Sequence, residues 1–227
     1  MQSVVTRNSE RETVHAADGV QYQTLGGFAY AVKGAFDRVV AALVLLGLAV
    51  PLAVIALLVK LSSPGPVFVR QTRVGRFGQP FTFYKFRSMR EDAELIRDAL
   101  EIRNHHDGPT IFKMKDDPRI TWLGGFLRRS SLDELPNLFN VLRGEMSIIG
   151  PRPPLPREVA HYSPRHMQRL AATPGVTGLW QVTGRSELSF EEMVDLDLEY
   201  IEKWSLWRDA SILIKTPLAV VNGRGAW

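Results

Sequence analysis

From Val39 to Val59 the chain reads VVAALVLLGLAVPLAVIALLV, 21 residues without a charged side chain. Wound into a helix at ~1.5 Å per residue, this run is about 31 Å long, close to the hydrocarbon thickness of a bilayer. A secretory signal would lie nearer the N-terminus, have a shorter apolar core and end in a small-residue cleavage site. The run therefore marks a membrane protein. Both flanks are basic, Lys33 and Arg38 before it and Lys60, Arg70, Arg73 and Arg76 after it, and positive charge marks the cytoplasmic side. Pro51 lies inside the run, where its missing N–H and its ring can break a helix. Two basic ends with a proline between them fit a helix that enters, turns and leaves on one face. Proline is also tolerated in spanning helices, and on charge and length alone the straight span is marginally favoured, with the heavier C-terminal charge in the cytoplasm.

The remaining sequence is that of an ordinary globular domain. Of the whole chain's 227 residues 45% are hydrophobic, enough to bury a core, and Lys plus Arg exceed Asp plus Glu by 28 to 24. Cysteine is absent, which excludes disulfides, thiolate metal sites and cysteine nucleophiles. Residues 1–32 are polar and weakly patterned and read as a flexible arm, residues 33–60 as the membrane helix, and 61–227 as the globular domain. Residues 61–90 hold six basic side chains and no acid. Within them VFVR and FTFYKF alternate as strands around turn residues, predicting a hairpin. Residues 91–101 read as an acidic helix. A further helix is predicted near Ser131 with Leu135, Leu138, Phe139 and Leu142 on one face. Ser163-Pro164 reads as a helix start and Pro174-Gly175 as a stop. Helical spacing recurs in Phe190, Met193, Val194, Ile201 and Trp204, and Ile212–Val221 reads as a last apolar helix. Trp180, Trp204, Trp207 and Trp227 suit either a membrane interface or the core. The predicted class is α+β, dominated by helices.

Walker A, GxGxxG and HExxH motifs are missing, and the histidine pairs have no ligand spacing. The segment FLRRSSLDELPNLF (126–139) is the strongest chemical candidate. Ser131 and Glu134 have capping-box spacing, which places Asp133 and Glu134 in the first turn of a helix. Acids there complement the helix dipole and need no other role. Beside Arg128 and Arg129, however, the two carboxylates can also hold a divalent cation and an oxyanion together, as phosphoryl chemistry requires. Arg152 in a proline-fixed turn (149–154) and Arg185 at the end of a glycine-spaced loop (174–185) are candidate phosphate ligands.

KFRSM (85–89), SLDELPNLFNVLRGEMSIIGPRP (131–153) and PGVTGLWQVTGR (174–185), after a basic-flanked hydrophobic helix, together resemble the bacterial sugar transferase family, the monotopic polyprenol-phosphate phosphoglycosyl transferases. The length resembles short members that start exopolysaccharide assembly. The resemblance implies a re-entrant membrane helix broken at a Ser-Pro pair, represented here by Val50-Pro51, with interfacial amphipathic helices and a catalytic domain on the cytoplasmic face of the bacterial inner membrane. It implies that Asp133 attacks the sugar-linked phosphate of a UDP-sugar, UMP leaves, and undecaprenyl phosphate accepts the phosphosugar. Glu134 would hold Mg2+ or Mn2+, with Arg128, Arg152, Arg185, Lys85 and Arg87 around the phosphates. Membrane lipids are implied partners and nucleic acid is not; a homo-oligomer is compatible with the pattern and not required by it. Two rival readings are a membrane-tethered nucleic-acid binder, resting on the basic patch with its interleaved Phe77, Phe81, Phe83, Tyr84 and Phe86, and an inactive scaffold.

Overall fold

The computed structural model describes residues 5–8, 11–15, 21–90, 92–93, 96, 117–184 and 187–222. The acidic stretch 91–101 lies almost wholly outside the described residues, as do Arg185 and Trp227.

The segment read as a flexible arm contains three antiparallel strands, β1 (Val5–Asn8), β2 (Arg11–His15) and β3 (Gln21–Leu25). Tyr22 anchors them. Its ring is wholly buried against Val74, Leu170 and Ala171 and lies 5.5 Å from that of Phe77. Tyr22 is an aromatic residue in an otherwise polar stretch, so the segment's average composition conceals this contact.

The apolar run forms two helices, α1 (Gly27–Gly47) and α2 (Ala49–Ser62), bent by 66°. No single described helix is long and apolar enough to cross a membrane, whereas the bent pair together meets that length and composition. The break is at Leu48 (φ −97°, ψ 10°), three residues before Pro51. A proline ring clashes with the carbonyl of residue i−4, here Gly47, so the first helix ends there. Pro51 then falls in the first turn of α2, where a missing N–H costs little. The helical segment also starts earlier than residue 33 and runs past residue 60.

The predicted hairpin is present. β4 (Phe68–Val74) and β5 (Pro80–Phe86) pair antiparallel, with Phe68 opposite Phe86 and Val74 opposite Pro80. Next come α3 (Trp122–Arg129), a 3₁₀ turn (Leu132–Asn137) and α4 (Leu138–Arg143). Gly124 lets α3 seat on the hairpin's exit, since a Cβ there would lie 1.9 Å from the Ser88 carbonyl oxygen. The predicted face of the following helix is only partly right. Leu138 and Val141 are buried against Ala41 and Phe83, whereas Phe139 and Leu142 are exposed. The 3₁₀ turn shifts the phase of the stripe relative to a continuous 3.6-residue helix.

The glycine-rich motifs pair as short parallel strands, β6 (Ser147–Ile149) and β7 (Gly175–Thr177). A Cβ at Gly150 would lie 2.3 Å from the Thr173 oxygen, one at Gly175 2.1 Å from the Gly150 nitrogen, and one at Gly178 2.4 Å from the Gly150 oxygen. Their spacing serves close backbone packing. Two short helices, α5 (Pro156–Val159) and α6 (Pro164–Met167), lie between these strands. Ser163 caps α6 as its sequence predicts, accepting from the His166 N–H. α7 (Leu179–Thr183), α8 (Phe190–Glu202) and α9 (Leu206–Asn222) complete the described chain. α8 buries Met193, Val194, Tyr200 and Ile201. Trp180 is buried and Trp204 half-buried, while Trp207 and Trp122 are the strongly exposed indoles at 83% and 76%.

A buried polar hub joins α1 to the globular part. Lys33 Nζ lies 3.2 Å from Asp37 Oδ2 and 2.9 Å from Asp209 Oδ2. Ser147 Oγ donates to Asp37 at 2.5 Å, and Asp209 accepts from Tyr200 (2.7 Å) and Trp204 Nε1 (3.2 Å). Lys33 is thus neutralised inside the protein and is no part of an exposed basic flank.

Candidate active site

The Asp133–Glu134 pair lies on the 3₁₀ turn rather than on an α-helix. The expected capping box does not form. Ser131 takes a left-handed conformation (φ 56°) and its side chain caps nothing, while the Glu134 carboxylate is engaged elsewhere. Arg152 Nη2 donates to Glu134 Oε1 at 2.8 Å and Nη1 to Oε2 at 3.2 Å, a two-pronged ion pair. Among the described residues, none donates a hydrogen bond to the Asp133 carboxylate, although Asp133 is only 8% exposed. One carboxylate is locked and its neighbour is free.

Three elements bring cations to this pair: β5 supplies Lys85, the end of α3 supplies Arg128, and the turn after β6 supplies Arg152, all within the electrostatic field of Asp133. Burial, and then the charge of Glu134, raises Asp133 to about 7 against the opposing pull of Lys85, Arg128 and Arg152. Burial would raise Glu134 as well, but the charge and hydrogen bonds of Arg152 hold it below its usual value. Burial, followed by repulsion from Arg73, pushes Lys85 down to about 8. Two adjacent carboxylates with opposite shifts are the pattern by which one fold assigns two roles.

Of the candidates from sequence, Asp133, Glu134, Lys85, Arg128 and Arg152 come together. The second cation of KFRSM, Arg87, does not join them. It is buried and donates to the carbonyls of Val59 (3.0 Å), Ser63 (2.6 Å) and Pro66 (2.5 Å), so it caps the C-terminal end of α2 instead of facing the dyad. Pro51 lies in the first turn of α2, and Arg185 lies outside the described residues. Sequence reasoning missed Arg73, which is buried beside the Arg152 turn and donates to the Pro153 carbonyl at 2.8 Å. Strand parity would have found it: in β4, Arg70 and Thr72 face out, while Gln71 and Arg73 face in. Of the aromatics interleaved with the basic patch, Phe83 and Phe86 are buried, while Phe77, Phe81 and Tyr84 are half-buried.

Residues 28–223 match the protein family described as bacterial sugar transferase. The chain is 49% identical over 163 residues to the galactosyl transferase CpsE of Streptococcus agalactiae serotype III (strain NEM316), a match covering 71% of this chain and 36% of that protein. It is 40% identical over 198 residues to the exopolysaccharide production protein ExoY of Sinorhizobium fredii (strain NBRC 101917 / NGR234), covering 86% and 88%. It is 43% identical over 205 residues to the UDP-glucose:undecaprenyl-phosphate glucose-1-phosphate transferase of Escherichia coli (strain K12), covering 85% and 40%. The chain thus spans well under half of two of these relatives and most of the third.

Proposed function

Because the chain belongs to the bacterial sugar transferase family, we propose that it transfers a hexose 1-phosphate from a UDP-sugar to undecaprenyl phosphate, releases UMP and thereby starts exopolysaccharide assembly. The observation that carries this reading is the contrast within the dyad: Asp133 is buried and free of hydrogen bonds from described residues, whereas Glu134 is fixed by Arg152. An Asp133 oxygen attacks the sugar-bearing phosphorus, and the P–O bond to UMP breaks with its electron pair leaving on UMP. An oxygen of undecaprenyl phosphate then attacks the same phosphorus and releases the Asp133 carboxylate. Both attacks bring anions together, so Lys85, Arg128 and Arg152 lower the barrier by offsetting charge that would otherwise repel. Names of relatives that act on UDP-glucose or galactose support a hexose donor.

The dyad fits a divalent cation held jointly with substrate. Mg2+ commonly takes only one or two carboxylates and completes its shell with water and phosphate oxygens, and no cluster of three or more acidic or histidine ligands occurs among the described residues. Glu134, with Asp133, would hold it, and when bound it would neutralise charge on the diphosphate. The bent α1–α2 pair supports a re-entrant seat on the cytoplasmic face of the inner membrane. Exposed Trp122 and Phe126 on α3, and Trp207 and Ile214 on α9, would extend that seat along the headgroups.

The test is UMP release from a panel of UDP-sugars, with and without undecaprenyl phosphate. Turnover with UDP-glucose or UDP-galactose is expected, together with a phosphosugar covalently trapped on the protein when the lipid is withheld. Asp133→Asn should keep the melting temperature, lose the trapped adduct and lower turnover by roughly a thousandfold or more, the scale of losing a covalent nucleophile. Near-normal UMP release from that variant would overturn the assignment, and full activity in excess chelator would overturn the metal.

A further inference from the structure

The inner face of the hairpin carries a buried cation that the reaction above leaves without a role. Gln71 stands opposite Phe83 and Arg73 opposite Phe81, so both lie on the face that carries Lys85 and packs against the 3₁₀ turn of the dyad. Arg73 is 8% exposed, and its hydrogen bonds all go to neutral acceptors. Nε and Nη2 donate to Gln71 Oε1 at 3.1 and 2.8 Å, Nη1 donates to the Pro153 carbonyl at 2.8 Å, and the Phe83 ring lies 5.1 Å from the guanidinium carbon. Among the described residues, no carboxylate forms an ion pair with it. Arg119 and Arg169, equally buried, are each paired at 2.6 Å, with Asp117 and Asp197. Arg87 also lacks a carboxylate, but it meets the negative end of α2.

A buried charge without a counter-ion is costly, and a guanidinium has five N–H donors. Three of Arg73's are used, leaving one on each Nη, the arrangement that grips phosphate oxygens in pairs. We propose that Arg73 is a further substrate-binding residue, held by neutral acceptors so that its charge remains available to the diphosphate of the nucleotide-sugar donor. This rests on the transferase reading for its substrate. The bond to Pro153 also steadies the turn that carries Arg152.

Gln71→Glu separates this role from that of a strut, because it places a carboxylate where the neutral acceptor stood. A strut would be strengthened; an anion-binding residue would be quenched. In full-length protein in detergent with Mg2+, Q71E is expected to melt at or above the wild-type temperature, to bind UDP at least tenfold more weakly by titration calorimetry, and to show a raised KM for the UDP-sugar. UDP affinity within twofold of wild type at an equal or higher melting temperature would overturn the proposal. Should Q71E melt lower, Arg73→Gln decides: a tenfold loss of UDP affinity with wild-type circular dichroism supports the role, and retained affinity overturns it. Wild type that binds UDP yet releases no UMP from any UDP-sugar would overturn the transferase reading while leaving Arg73 a diphosphate ligand. Wild type that does not bind UDP overturns the role of Arg73.

Discussion

Lys85 sits between two demands. In the proposed reaction it must be charged to support the Asp133 carboxylate, yet burial and the neighbouring Arg73 pull its ammonium down to about 8. Below that pH it carries its charge; as pH rises through it, the site loses one cation. Asp133, raised to about 7, forms its carboxylate only as pH climbs through that value. UMP release should therefore rise through about pH 7 and fall above about pH 8. Lys85→Arg, whose guanidinium stays charged throughout, should remove the falling limb, as initial rates measured from roughly pH 6 to roughly pH 9.5 would reveal. Lys85 and the dyad are legible in the sequence because they lie in contiguous motifs. Arg73 and Arg87 are harder to read, since a basic stretch does not say which side chains face inward, and one of them serves a helix end brought close only by the fold.

At the level of elements, the bend between α1 and α2 carries the clearest prediction. Pro51 costs ~3 kcal/mol or more in a regular helix interior, and the chain avoids that cost by ending α1 at Gly47. Pro51→Leu should let the two helices run straight and favour a spanning topology. A Gly26→Cys reporter, in a chain with no native cysteine, should resist a membrane-impermeant thiol reagent in intact cells when Pro51 is present and react when it is replaced. Labelling with Pro51 in place would show a span. The hydrophobic length and the hairpin are readable because their periodicity is long and local. The β6–β7 pair is not: each strand has three residues, and the partners lie 28 positions apart (Ser147 with Gly175). Gly124→Ala tests the packing of α3 directly, since its methyl would collide with the Ser88 backbone. A loss of about 1–3 kcal/mol in chemical denaturation is expected, with lower turnover as α3 displaces Arg128.

Across the whole molecule, the Lys33 hub ties the first helix to the last. Lys33→Met would leave Asp37 and Asp209 buried without their cation, and breaking a buried pair this way costs about 3–5 kcal/mol. Chemical denaturation in detergent should register that loss, with Asp133 and Arg152 untouched by the substitution. The same connections bear on any attempt to remove the bent helix pair. Cutting after Ser62 would remove Lys33 from Asp209, the Val59 carbonyl from Arg87 and Ala41 from the cluster around Phe83. The bent helix pair thus supplies part of the domain's own interior, and a fragment lacking it would have to be redesigned at each of those contacts before it could stand alone.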